Sequence, residues 1–123
     1  MALEDLDVWK RSTELCIEIC KYFEQSTNFV LRDQVFRSAL SVPSNIAEGH
    51  ERLSTREMIL FLGYARGFVG ELRTQIHIAR AAGYIEPATA NRWHRETRTL
   101  SRMLTALITH LRKKAESPTK RRQ

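Results

Sequence analysis

Apolar side chains recur at steps of three and four through four separate stretches of this chain, the spacing of helices with one buried face. The first stretch covers about residues 6–24, with Trp9, Thr13, Cys16, Ile19, Cys20 and Phe23 on one side. Ser26, Thr27 and Asn28 interrupt it. The second, about 29–48, carries Leu31, Val35, Ala39, Val42 and Ile46, and Gly49 offers a C-terminal stop. Ser54-Thr55-Arg56-Glu57 reads as a capping box opening a third helix over 55–82, whose stripe is Met58, Phe61, Leu62, Ala65, Val69, Leu72, Ile76 and Ala79, ended by Gly83. Pro87 suits a first helical turn. It opens a fourth helix over 87–114, with Trp93, Leu100, Leu104, Leu107, Ile108 and Leu111 on one side.

Pro43 falls inside the second pattern, where a proline removes a backbone donor and bends or ends a helix. The periodicity continues to Ile46, so the expectation is one kinked helix, with a break into two pieces as the alternative. Four amphipathic helices on short connections predict an all-α fold, an antiparallel up-down-up-down four-helix bundle spanning residues 1–114. Residues 115–123 (AESPTKRRQ) have no apolar anchor beyond Ala115 and read as a flexible basic tail.

With 123 residues, 42% hydrophobic and 28% charged, the chain has the make-up of one soluble domain. Its longest apolar run, Met58 to Leu62, is far short of the roughly 20 residues a membrane span needs. The opening MALEDLDVWK is acidic, with neither a basic leader nor an apolar segment, so cytoplasmic residence is the expectation. Cys16 and Cys20, one helical turn apart, are expected to be reduced core thiols.

Charge is polarised along the chain. Residues 1–85 hold 10 Lys/Arg against 11 Asp/Glu, while residues 86–123 hold 10 against 3, so the net +6 comes wholly from the final third. By helical projection, Arg92, Arg95, Arg98, Arg102 and Lys113 fall within an arc of about 120° opposite the leucine stripe of the fourth helix. Lys120, Arg121 and Arg122 continue the positive charge into the tail. Arginine forks suit phosphate oxygens, and a row of them could follow a nucleic-acid backbone. The plainer reading is a solvated face that keeps the protein soluble. No aromatic residues interleave with the row, and no helix-turn-helix, zinc-finger or RNA-recognition signature is present, so little sequence preference is expected.

Two faces carry more apolar or small residues than one bundle needs. On the second helix Phe36, Leu40 and Ala47 form a ridge about 100° from the core stripe. On the third, Gly63, Gly67 and Gly70 lie with Thr74 away from the core, between Leu60 and Ile78. Each mid-helix glycine costs roughly 0.8 to 1 kcal/mol relative to alanine, about 2.5 kcal/mol for three. Either a neighbouring helix of the same bundle fills this groove or a second subunit does. A polar strip on the second helix includes Arg37, Asn45 and Glu48, which with Arg66 and Glu71 are expected to form a structural hydrogen-bonding network between helices or across subunits.

Catalytic signals are missing. His50, His77, His94 and His110 show no metal spacing, and no Glu-x-x-His pair, phosphate loop or nucleophile elbow occurs. No catalytic residue, metal ligand, cofactor or small-molecule substrate is assigned.

The run Arg37-Ser38-Ala39-Leu40-Ser41-Val42-Pro43-Ser44-Asn45-Ile46-Ala47-Glu48-Gly49, followed by Glu57, Phe61-Leu62, Ala65-Arg66-Gly67 and Glu71-Leu72, resembles the four-helix proteins of the 23S rRNA intervening-sequence (S23-type) family. Leu6-Asp7-Val8-Trp9-Lys10 and Ala79-Arg80-Ala81-Ala82-Gly83-Tyr84-Ile85 look like the ends of the same module, so the likeness covers about residues 3–112. It implies a left-handed antiparallel bundle that tolerates the proline, and assembly into a ring-like homopentamer in a bacterial setting. The expectation is therefore a non-enzymatic homo-oligomer, itself the first partner, that binds RNA or DNA through the fourth-helix face. The alternative is an oligomeric scaffold or adaptor for a partner protein with no direct nucleic-acid role.

Overall fold

The computed structural model describes residues 1–116, and within them all regular structure is helical. A short 3-10 turn, Leu3–Asp5, precedes α1 (Asp7–Tyr22), α2 (Phe29–Glu51), α3 (Thr55–Ala81) and α4 (Pro87–Ala115). Each helix packs on the next along the chain, and α4 returns to α1, closing a four-helix bundle.

The ends of the helices follow from local chemistry. Asn28 caps α2, its side chain accepting from the Leu31 N–H at 3.0 Å. Ser54 caps α3 by accepting from the Glu57 N–H at 3.1 Å. Glu57 reaches back to the Ser54 hydroxyl at 3.3 Å rather than to a backbone donor, so only half of a capping box forms. At the other end of α3, Gly83 has φ +86, Tyr84 N–H donates to Ala79 C=O at 2.8 Å and Gly83 N–H to Arg80 C=O at 3.0 Å. This is a Schellman closure, with glycine at the position where a Cβ would be strained. Pro87 stands in the first turn of α4.

The helix through Pro43 is unbroken, which removes the two-piece alternative. Gly49 does not stop α2 either. The helix runs on to Glu51, and Gly49 instead lets α3 come close, since a Cβ there would stand 3.1 Å from Phe61 Cβ and 3.2 Å from the Met58 carbonyl.

The buried line of α1 is Val8, Ser12, Leu15, Cys16 and Ile19, turned from the expected Trp9–Thr13–Cys20 side. Trp9 and Thr13 are half-buried and Cys20 is exposed, so only Cys16 is a core thiol. The turn has a physical reason: α1 is covered by both α2 and α4, and the residues facing between them are the ones that lose water. Val35, Ala39, Val42 and Ile46 of α2, Leu62, Ala65, Val69, Leu72, Ile76 and Ala79 of α3, and Trp93, Leu100, Leu104 and Ile108 of α4 complete the core. Trp93 is its largest fully buried side chain and meets Tyr22 edge-on, with centroids 5.1 Å apart. Among the described residues no helix is long and apolar enough to cross a membrane.

Candidate nucleic-acid interface

The cationic row of α4 does not present a single surface. Arg92, nearest the α1 side, donates to Glu18 of α1, and the indole Nε1–H of Trp93 donates to the same carboxylate oxygen. Burial pushes the Glu18 carboxyl upward, but the hydrogen bonds from Trp93 and Arg92 and the Arg92 charge outweigh it and hold the group below the usual carboxylate range. One turn along, Arg11 of α1 forks onto Glu96 of α4, at 2.5 Å and 3.1 Å. The Glu96 hydrogen bond raises the Arg11 pKa, against a smaller opposing effect of burial. Arg92 is therefore neutralised inside the protomer and leaves the predicted phosphate row.

Arg95 lies at the edge of this paired region. With Glu14, Thr99 and the two ion pairs it lines a cleft of about 410 Å³ between α1 and α4. Arg102 donates to Thr99 at 3.2 Å, a neutral partner one turn back. Arg95, Arg98 and Lys113 are exposed and make no hydrogen bond or ion pair among the described residues. Lys120, Arg121 and Arg122 lie outside the described residues.

A second set of cations stands on α3, of which sequence reading gave a role only to Arg66, as a member of a polar network. Arg66 donates to Thr105 at 3.3 Å, and the half-buried Arg73 donates to Thr97 Oγ1 at 3.2 Å, Thr97 C=O at 3.3 Å and Ser101 Oγ at 2.9 Å. Every acceptor is uncharged. The signal was present as a seven-residue repeat, Arg66, Arg73 and Arg80, on the flank of α3 that meets α4.

The expected polar network does not form within one protomer. Asn45 donates to Ser41 C=O and Ser41 to Arg37 C=O, both at 2.8 Å and both inside α2. Glu48 pairs with Arg52, not with Arg37 or Arg66. The Arg37 and Glu71 side chains have no hydrogen-bond partner among the described residues. Short side chains on a helix reach their own carbonyls more readily than a neighbouring helix, so the strip closes locally.

The apolar ridges are placed differently. Phe36 and Leu40 are exposed, Ala47 half-buried, and α1 adds Ile17 and Cys20 beside them. Phe36, Leu40, Ile17 and Cys20, together with Pro43 but without Ala47, line a cleft of about 360 Å³ with an apolar floor. On α3, Leu60 and Ile78 are about half exposed, at 50% and 55%. A Cβ at Gly63, Gly67 or Gly70 would meet nothing within 4 Å. The reading in which a helix of the same bundle fills that groove is overturned. Among the described residues no three His, Cys, Asp or Glu side chains converge as a metal-binding group.

A family model for 23S rRNA-intervening sequence proteins matches residues 4–106, most of the bundle. The chain belongs to that family. A solved structure of a protein of unknown function from the S23 ribosomal protein family of Bacteroides thetaiotaomicron is similar in fold. Its TM-score is 0.78 at 22% identity, with 83% of this chain and 95% of that chain covered. No curated protein matches the chain. The family match reaches into all four helices, and the Arg66–Thr105 and Arg73–Ser101 pairs and the Glu18 cluster all lie within its matched stretch.

Proposed function

We propose that this family member is a non-enzymatic, cytoplasmic homo-oligomer that binds RNA or DNA with little sequence preference. The observation that carries this reading is the set Arg95, Arg98, Arg102 and Lys113, which faces outward from α4 with no carboxylate partner among the described residues. Guanidiniums that retain their charge at the surface attract a phosphate backbone, and nothing in the set reads base edges. The tail cations Lys120, Arg121 and Arg122 add to this attraction.

Self-assembly, as a ring of five in the family's manner, is supported by the exposed Phe36–Leu40 ridge and by the open glycine groove of α3. Repetition of the basic face around a ring multiplies weak contacts into useful affinity. An antiparallel up-down-up-down order is supported by the running of partner numbers: Arg11 and Glu18 of α1 meet Glu96 and Arg92 of α4, and Arg66 and Arg73 of α3 meet Thr105 and Ser101. A bend at Pro43 is the expected consequence of its missing donor.

Salt-titrated binding to generic RNA and duplex DNA tests the reading. A steep salt slope that flattens in Arg95→Ala with Arg102→Ala supports it, and no binding at low salt removes it.

A further inference from the structure

We propose that the seam between α3 and α4 is a seat for a phosphodiester backbone, in which Arg66, Arg73 and Arg80 of α3 act with Arg98 of α4. The proposal rests on the nucleic-acid reading above and names its contact surface.

The seam is built without negative charge. Between residues 66 and 80 of α3 and residues 91 and 105 of α4 there are two carboxylates, Glu71 and Glu96. Glu96 is held by Arg11 on the opposite, α1, flank of α4. Glu71 projects about 140° to 160° around α3 from Arg66 and Arg73, toward the glycine groove. Neither faces the seam.

The cations there are ordered. Arg66, Arg73 and Arg80 stand seven residues apart, a spacing that keeps them on one flank and sets them about 10.5 Å from one another along the axis. From first to last they span about 21 Å, the axial length of roughly six nucleotides of one duplex strand.

Arg73 is the informative member. It is half-buried and three of its donors are satisfied by Thr97 and Ser101, yet none of those oxygens carries charge. A guanidinium drawn partly out of water without a counter-anion is costly, and an anion seated over the seam would offset that cost. Thr97 and Ser101 hold the planar fork in place, so little ordering remains to be done on binding.

At the far end, Arg80 shares a cleft of about 200 Å³ with His77, Asn91 and His94. None of these four side chains makes a hydrogen bond or ion pair among the described residues. All four side chains carry nitrogen donors and line one small volume, a setting suited to a single phosphate group.

The test is fluorescence anisotropy of a labelled generic RNA oligonucleotide and a duplex DNA, titrated from about 50 to 200 mM salt. Arg66→Ala with Arg80→Ala is expected to weaken binding about tenfold or more and to make the salt slope shallower by about 1.4 to 1.8, the value for two lost phosphate contacts. Arg66→Lys with Arg80→Lys, which keeps the charge, should retain most of the slope. Arg80→Glu is the second variant, chosen because Arg80 has no partner in the fold to lose, and it should weaken binding further than Arg80→Ala. If these α3 variants match the wild type in affinity and slope while Arg95→Ala with Arg102→Ala weakens binding, the seam is overturned and the nucleic-acid reading stands. A wild-type protein that binds neither ligand at low salt overturns both.

Discussion

One carboxylate oxygen of Glu18 accepts both the Arg92 guanidinium and the indole N–H of Trp93, so a surface ion pair of α1 and α4 is also the partner of the largest buried side chain. The same contact diverts Arg92 from the exposed row and satisfies a donor that would otherwise be stranded at the core edge. Specificity of the α1–α4 packing and the outline of the basic face are therefore linked.

Acid sensitivity follows from this contact. The Glu18 carboxyl sits below its ordinary range in the folded protein, because the Trp93 and Arg92 hydrogen bonds outweigh the burial that pushes it up. Its contribution to stability is thus fully present above the unfolded value, about 4.3, and is lost as pH falls through the lower folded one. Urea midpoints measured from pH 7 down to about 3 should fall in the acid range, and Glu18→Gln should flatten that fall. At neutral pH, Glu18→Ala should cost about 1 to 3 kcal/mol by leaving the indole donor unpaired. An unchanged acid limb in Glu18→Gln would assign the sensitivity elsewhere.

Glycines of α2 and α3 should respond in opposite directions. Gly49→Ala places a methyl 3.1 Å from Phe61 Cβ and 3.2 Å from a backbone carbonyl, neither of which swings aside. Overpacking of about 1 to 3 kcal/mol should exceed the gain of roughly 0.8 to 1 kcal/mol in helix propensity. Gly67→Ala meets open space and should stabilise an isolated protomer by that propensity gain, while weakening any assembly that uses the groove. Chemical denaturation of the two variants at matched concentration separates these cases.

The proposed self-assembly rests on the exposed ridge that joins α1 and α2. Light scattering at micromolar concentration should report a multimer for the wild type, and Ile17→Glu with Leu40→Glu should yield a helical monomer, because both side chains are about half exposed at 50% and 47%. A wild-type monomer under those conditions contradicts the self-association reading.

The helix pattern was legible from apolar spacing on α2, α3 and α4, where one side faces the core and the other faces water. It misled on α1, where small and polar letters obscure the buried side: Ser12 and Leu15 face the core while Cys20 stays outside. Gly49 looked like a stop because a glycine at a helix end and a glycine at a close helix crossing are the same letter; only the distance to Phe61 distinguishes them. The α4 charges were visible as a row, but their partners were not. Which cations are neutralised depends on Glu18 and Arg11, more than 70 residues away in the chain. For a related reason Arg66 reads only as part of a polar network and Arg73 does not stand out: their acceptors, Thr105, Thr97 and Ser101, lie on α4, 24 or more residues away in the chain.

The most direct test of the central claim is the salt dependence of binding to a generic RNA or DNA duplex. The account predicts a linear fall of log K with log salt, with a slope near −0.9 per phosphate neutralised on a duplex, flattening by about 1.8 in Arg95→Ala with Arg102→Ala. A wild-type slope near zero, or no binding at low salt, would contradict it.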